Sequence, residues 1–122
     1  MGRDMNYKTF RDLRCWQEAH KLVLAIYRAT QTFPNEEKFG LSIQIRRSAV
    51  SICANMAEGF KKSRKDFVRY LDISQASLEE TKYHLILSND LGYLTSDQYQ
   101  SLNSSADDVG KMLYGLITRL RS

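Results

Sequence analysis

Tyr99, Leu102, Ala106, Val109, Leu113, Leu116 and Leu120 follow one another in steps of 3, 4, 3, 4, 3 and 4. A strand cannot use that spacing, because its successive side chains point to opposite faces. An α-helix turns the same residues into one continuous seam. Thr95 followed by Gln98 supplies a capping box for its start. Gly110 and Gly115 each weaken such a helix by about 1 kcal/mol relative to alanine, which a helix this long tolerates and which can mark tight contacts. The rest of the chain permits the same solution. One proline, Pro34, and six glycines punctuate 122 residues. That is too little punctuation for many short strands, and it favours a few long helices.

Three more helices can be read upstream. The first covers residues 11–32, with Leu13, Trp16, His20, Val23, Tyr27 and Thr30 on one stripe. Ala19, Leu22, Ile26 and Ala29 widen it, so this helix meets partners on two sides. Tyr7 and Phe10 can fold back over its first turn. Phe33-Pro34 ends it. Glu36 and Glu37 suit the positive start of the next helix, and Phe39 and Leu41 can anchor that start on helix one. Helix two is Leu41–Gly59, with Leu41, Ile45, Ala49, Ile52 and Met56 on its apolar face. Its other face carries Gln44, Arg47, Ser48, Ser51, Asn55 and Glu58. Those groups are mostly small and polar, a surface suited to close approach by another helix with hydrogen bonds across the contact. Gly59 is placed for a left-handed cap. Helix three covers residues 64–91, with Ser63 as N-cap and Asp66 three residues on. Its stripe of Phe67, Leu71, Ser74, Leu78, Thr81, Leu85 and Ser88 again mixes apolar and small polar groups. Gly92 caps its end.

Four comparable helices with short connections predict an all-α fold, an antiparallel up-down-up-down four-helix bundle. Residues 1–10 read as an N-terminal leader and residues 11–122 as one domain. Hydrophobic residues at 43% and charged residues at 26% are a soluble balance. No apolar run reaches the roughly 20 residues that cross a bilayer. Cys15 and Cys53 form neither a disulfide framework nor a metal motif, and read as reduced packing residues of a cytoplasmic protein.

Reaction chemistry has little to work with. A di-iron bundle needs two Glu-x-x-His motifs and two further glutamates. The nearest approach is Glu80 with His84, at the wrong spacing and without a second copy. The other histidine, His20, has no ligand set either. Neither Cys53 nor Ser51 has a histidine base in motif spacing, and no glycine loop of the phosphate-cradling type is present. The expectation is therefore no enzyme, no cofactor and no metal site.

The charge is more informative. Lysine and arginine number 18 against 14 acidic residues, a net charge of +4. Lys61, Lys62, Arg64, Lys65 and Arg69 fall within nine residues, where helix three begins and adds its own positive end. Arg46 and Arg47 lie upstream, and Arg11, Arg14, Lys21 and Arg28 line helix one. Such a surface can neutralise phosphates without reading bases. A solvated loop with ordinary helix surfaces explains the spacing equally well. Phe60 and Tyr70 flank the cluster and fit core packing better than base stacking.

The residues carry a family resemblance. Phe10-Arg11-Asp12-Leu13, Trp16, Ala19, Tyr27 and Phe33-Pro34 belong to it, with Glu37 and Gly40-Leu41. So do Gln44-Ile45-Arg46-Arg47-Ser48, Ser51-Ile52 and Asn55-Met56-Ala57-Glu58-Gly59. Phe67, Leu71, Ala76-Ser77-Leu78, Glu80 and Leu91-Gly92-Tyr93-Leu94 complete it. Together they resemble the bacterial 23S rRNA intervening-sequence proteins over nearly the whole chain. The pattern usually has glycine where this chain has Ala76. The resemblance implies an antiparallel four-helix bundle assembled as a ring-like homopentamer. It also implies similarity to the accessory protein of diversity-generating retroelements, a basic pentamer that binds nucleic acid and a reverse transcriptase. No catalytic residue carries over.

The expected function is thus a non-enzymatic, oligomeric protein that binds RNA or DNA through phosphates, with Lys61, Lys62, Arg64, Lys65 and Arg69 in contact. The alternative is a scaffold that recruits a polymerase or reverse transcriptase. Arg46, Arg47, Asn55, Glu58 and Glu80 are expected to make buried or intersubunit polar contacts that fix the assembly.

Overall fold

The computed structural model describes residues 7–122. Four helices account for most of them: α1 (Arg14–Thr30), α2 (Leu41–Gly59), α3 (Arg64–Asp90) and α4 (Ser96–Arg121). Consecutive helices pack against each other, and α1 closes the ring by packing on α4. The α2–α3 and α3–α4 connections are too short to return a helix to its starting end, and Arg46 near the start of α2 bonds Thr30 at the finish of α1, so the bundle is antiparallel. The beginnings of α1 and α3 therefore share one end with the finishes of α2 and α4.

The seam of α4 is buried as its spacing demands, from Leu102 through Ala106, Val109, Leu113 and Leu116 to Leu120. Thr95 and Gln98 form the reciprocal capping box. Gly110 lies 3.3 Å from Leu78 through its would-be Cβ, whereas Gly115 faces open space. In α1 the core line falls on Cys15, Ala19, Leu22, Ile26 and Ala29, joined by Val23 and Thr30 from the first stripe and by Leu13 just before the helix. A helix held between α2 and α4 buries the line midway between them. Trp16, His20 and Tyr27 are left at its margin, with Trp16 half-buried and the other two exposed. Helix α1 also starts later than its periodicity suggested, because residues 10–12 form a separate 3-10 turn capped by Thr9 and Asp12. Phe10 from that turn meets Trp16 edge-on at 5.1 Å.

Between α1 and α2, Glu37 accepts hydrogen bonds from the Leu41 amide at 2.9 Å and from the Tyr93 hydroxyl at 2.9 Å. These bonds hold the Glu37 carboxyl below the usual range, the amide bond most strongly. Leu41 is buried at this junction, but Phe39 is 83% exposed and anchors nothing. Gly59 is not a left-handed cap either. Among the described residues the one positive φ is at Gly92, 79°. Gly59 is buried because α3 crosses it closely, and a Cβ there would lie 2.6 Å from Tyr70 Cβ.

The contact between α2 and α3 is the most extensive of the bundle, and it is the predicted small polar contact. Ser51 and Ser77 share a hydrogen bond of 2.8 Å. Thr81 donates toward Ser48 at 2.8 Å and lies the same distance from the Ser77 carbonyl. Ser74 donates to the Ile52 carbonyl at 2.8 Å. His84 Nδ1 lies 3.3 Å from Ser48 Oγ. Among the described residues no buried side-chain nitrogen or oxygen lacks a partner. Each such bond contributes about 0.5–1.5 kcal/mol net, but breaking one strands its mate at higher cost.

Candidate nucleic-acid interface

The turn after α2 runs Phe60-Lys61-Lys62-Ser63. It closes through a Lys62 amide bond to the Gly59 carbonyl at 3.0 Å. Ser63 then caps α3 by accepting from the Asp66 amide at 3.2 Å. Phe60 packs edge-on against buried Phe67 at 5.9 Å, which pins the turn to the core. Lys61, Lys62, Arg64, Lys65 and Arg69 all project into solvent. The Lys62 ammonium lies 5.8 Å from the Tyr70 ring. Arg69 has a loose ion pair with Asp66 at 3.7 Å between exposed side chains, worth little in water.

The antiparallel topology enlarges this cluster. Lys8, Arg11 and Arg14 lie at the start of α1, and Arg119 and Arg121 at the finish of α4, all at the same end. Ten of the 17 basic residues among those described thus gather there. Asp12 is occupied with the Thr9 and Lys8 amides, which lower its pKa. Asp72 is taken by Arg121 at 3.0 Å. The opposite end carries Glu36, Glu37, Asp90 and Asp97 against Arg28 and Lys38. Arg119 and Arg121 were missed from local sequence, since no run of charge marks them. Once four antiparallel helices are expected, however, the finish of α4 must join the start of α3.

The residues expected to make buried or intersubunit polar contacts divide. Arg46 is half-buried and joins α2 to α1. Its Nε donates to Thr30 Oγ1 at 2.8 Å, an Nη donates to the Tyr27 carbonyl at 3.2 Å, and its guanidinium lies 4.5 Å from the Tyr27 ring. Asn55 is half-buried and donates to the Ser51 carbonyl and hydroxyl at 2.9 and 3.0 Å. Arg47, Glu58 and Glu80 are not buried in the chain but exposed. Their small or apolar neighbours face inward, and the helix turns these three out. Glu58 and Glu80 form no internal carboxylate pair. Glu80 instead lies 3.8 Å from His84 Nε2. Burial lowers the His84 pKa, with Glu80 opposing.

A groove of about 860 Å³ lies between α1 and α2, and sequence reasoning missed it. Tyr27, Phe39, Ile43 and Val50 supply apolar walls. Lys38, Arg46 and Arg47 supply positive charge, and among the described residues no acidic side chain lines it. Reading Phe39 as an anchor hid it.

Cys15 and Cys53 are free and buried, and burial pushes both thiols up to about 12, with Cys53 adding to the shift at Cys15. Thiols so shifted are poor nucleophiles. Among the described residues no three His, Cys, Asp or Glu side chains converge on a point. No described helix is long and apolar enough to cross a membrane.

Residues 11–115 match the family model described as 23S rRNA-intervening sequence protein. The fold is similar to the crystal structure of a protein of unknown function from the S23 ribosomal protein family of Bacteroides thetaiotaomicron. That chain is 33% identical, with a TM-score of 0.78 over 85% of this chain and 95% of the other. No curated protein matches.

Proposed function

The chain belongs to the 23S rRNA-intervening sequence protein family, and on that premise we propose a non-enzymatic nucleic-acid-binding protein. The observation that carries the reading is the basic end of the bundle. Lys61, Lys62, Arg64 and Lys65 stand exposed there beside the first turn of α3, joined by cations from α1 and α4. Such an end meets phosphates of RNA or DNA with little sequence preference. Self-association into a ring, the pentamer of the resemblance, would repeat a weak site and raise avidity. The free buried thiols fit a cytoplasmic setting.

The test is a binding titration at several salt concentrations, with light scattering to count subunits. Affinity should fall steeply with salt. Replacing Lys61, Lys62, Arg64 and Lys65 with glutamine should flatten the slope of log affinity against log salt by about three. Absence of binding at low salt, or binding indifferent to salt, would overturn the reading. A monomer would remove the avidity component alone.

A scaffold for a polymerase or reverse transcriptase is the second reading. It draws on Ile73, Tyr83 and Ile86 of α3, exposed by 49%, 56% and 44%. The quadruple substitution should spare recruitment of such a partner.

A further inference from the structure

Trp16, His20 and Tyr27 lie on one face of α1, spaced by four and then seven residues. The face begins at the basic end and reaches the groove beside α2. Trp16 and His20 are stacked, with ring centroids 5.0 Å apart and planes 9° from parallel. His20 is exposed, so the stack has a solvent-facing end. A guanidinium attends each end of the face. Arg11 lies 5.9 Å from the Trp16 ring and Arg46 lies 4.5 Å from the Tyr27 ring. Beyond Tyr27, Phe39 stands 83% exposed at the groove with the Lys38 ammonium 5.6 Å from its ring.

We propose that this aromatic and cationic track binds single-stranded nucleic acid. Unpaired bases stack on His20 and Phe39, while phosphates pair with Arg11 and the groove cations. The proposal rests on the nucleic-acid reading above and adds the strand state. A duplex keeps its base faces inside and can offer this track only phosphates and edges. A single strand offers both π-faces and charge, the combination that sequence-tolerant single-strand sites use. The groove's positive lining without a carboxylate suits an anionic occupant. From Trp16 to Tyr27 the helix rises about 16 Å, long enough for several nucleotides of a single strand.

The chain has one tryptophan, Trp16, so its own emission reports on the track. Ten-nucleotide oligoadenylate and a duplex of equal length would be titrated at low salt. The single strand should quench Trp16 and bind more tightly than the duplex. His20→Ala and Phe39→Ala replace exposed side chains, and circular dichroism would check that the fold is kept. Each should weaken single-strand binding about tenfold and leave duplex binding unchanged. Equal binding of both forms, with Trp16 emission steady and neither substitution felt, would overturn the track and leave the basic end standing. No binding of either form would overturn both.

Discussion

Two glycines of this chain both belong to helices and differ in what they do. Gly59 lies where α3 crosses α2, and a methyl group there would meet Tyr70 at 2.6 Å. Gly115 lies inside α4 with nothing within 4 Å of a Cβ. Gly59→Ala should therefore destabilise the protein by about 1–3 kcal/mol, the cost of forcing packed atoms apart. Gly115→Ala should stabilise it by about 1 kcal/mol through helix propensity. Urea unfolding of the two variants checks both, and a shared sign would contradict the packing argument. Gly92 was legible because a glycine after a polar helix end is where a left-handed residue belongs. Gly59 had the same local signature. What distinguishes it is Tyr70, eleven residues away and across a helix crossing that no local pattern reports.

At the scale of elements, the α2–α3 contact was the most legible part of the molecule. Ser48, Ser51 and Asn55 recur on one face of α2, and Ser74, Ser77 and Thr81 recur on α3, so their meeting could be anticipated. The core face of α1 was less legible. Its two candidate stripes are similar in apolar content, and only its position between α2 and α4 selects Ala19, Leu22 and Ile26 over Trp16, His20 and Tyr27. The contact also carries a titration. Buried His84 gives up its proton more readily than the ordinary histidine, burial outweighing Glu80. The unfolded chain then binds more protons just below the ordinary value of 6.5. Stability should be full above that value and fall as the pH drops through it toward the lower native pKa. His84→Gln removes the titration, so its urea midpoint should decline less than the parent's between about pH 7 and pH 5. Parallel profiles would mean that His84 does not carry the effect.

Over the whole molecule, charge is sorted by topology. The bundle collects the ends of all four helices in two groups, and the group holding Lys61 also receives Arg119 from the finish of α4. Arg119→Gln should lower the salt slope of nucleic-acid binding by about one, as a substitution inside the Lys61 cluster does. An unchanged slope would confine the site to the α2–α3 turn. Helix number, order and packing direction could be read from spacing and sparse punctuation. The groove could not, because it depends on Phe39 turning outward at a junction where Leu41 is buried and Phe39 is not. The small polar contact between α2 and α3 has a thermal consequence. Hydration of apolar surface gives unfolding its positive heat capacity, and polar surface works against it. The α2–α3 pair, held in part by hydroxyls, therefore contributes less to that heat capacity per unit of contact than the leucine seam of α4. Cooling weakens apolar burial, so in the cold this bundle should loosen first along α4 and last along the line where Ser51 meets Ser77.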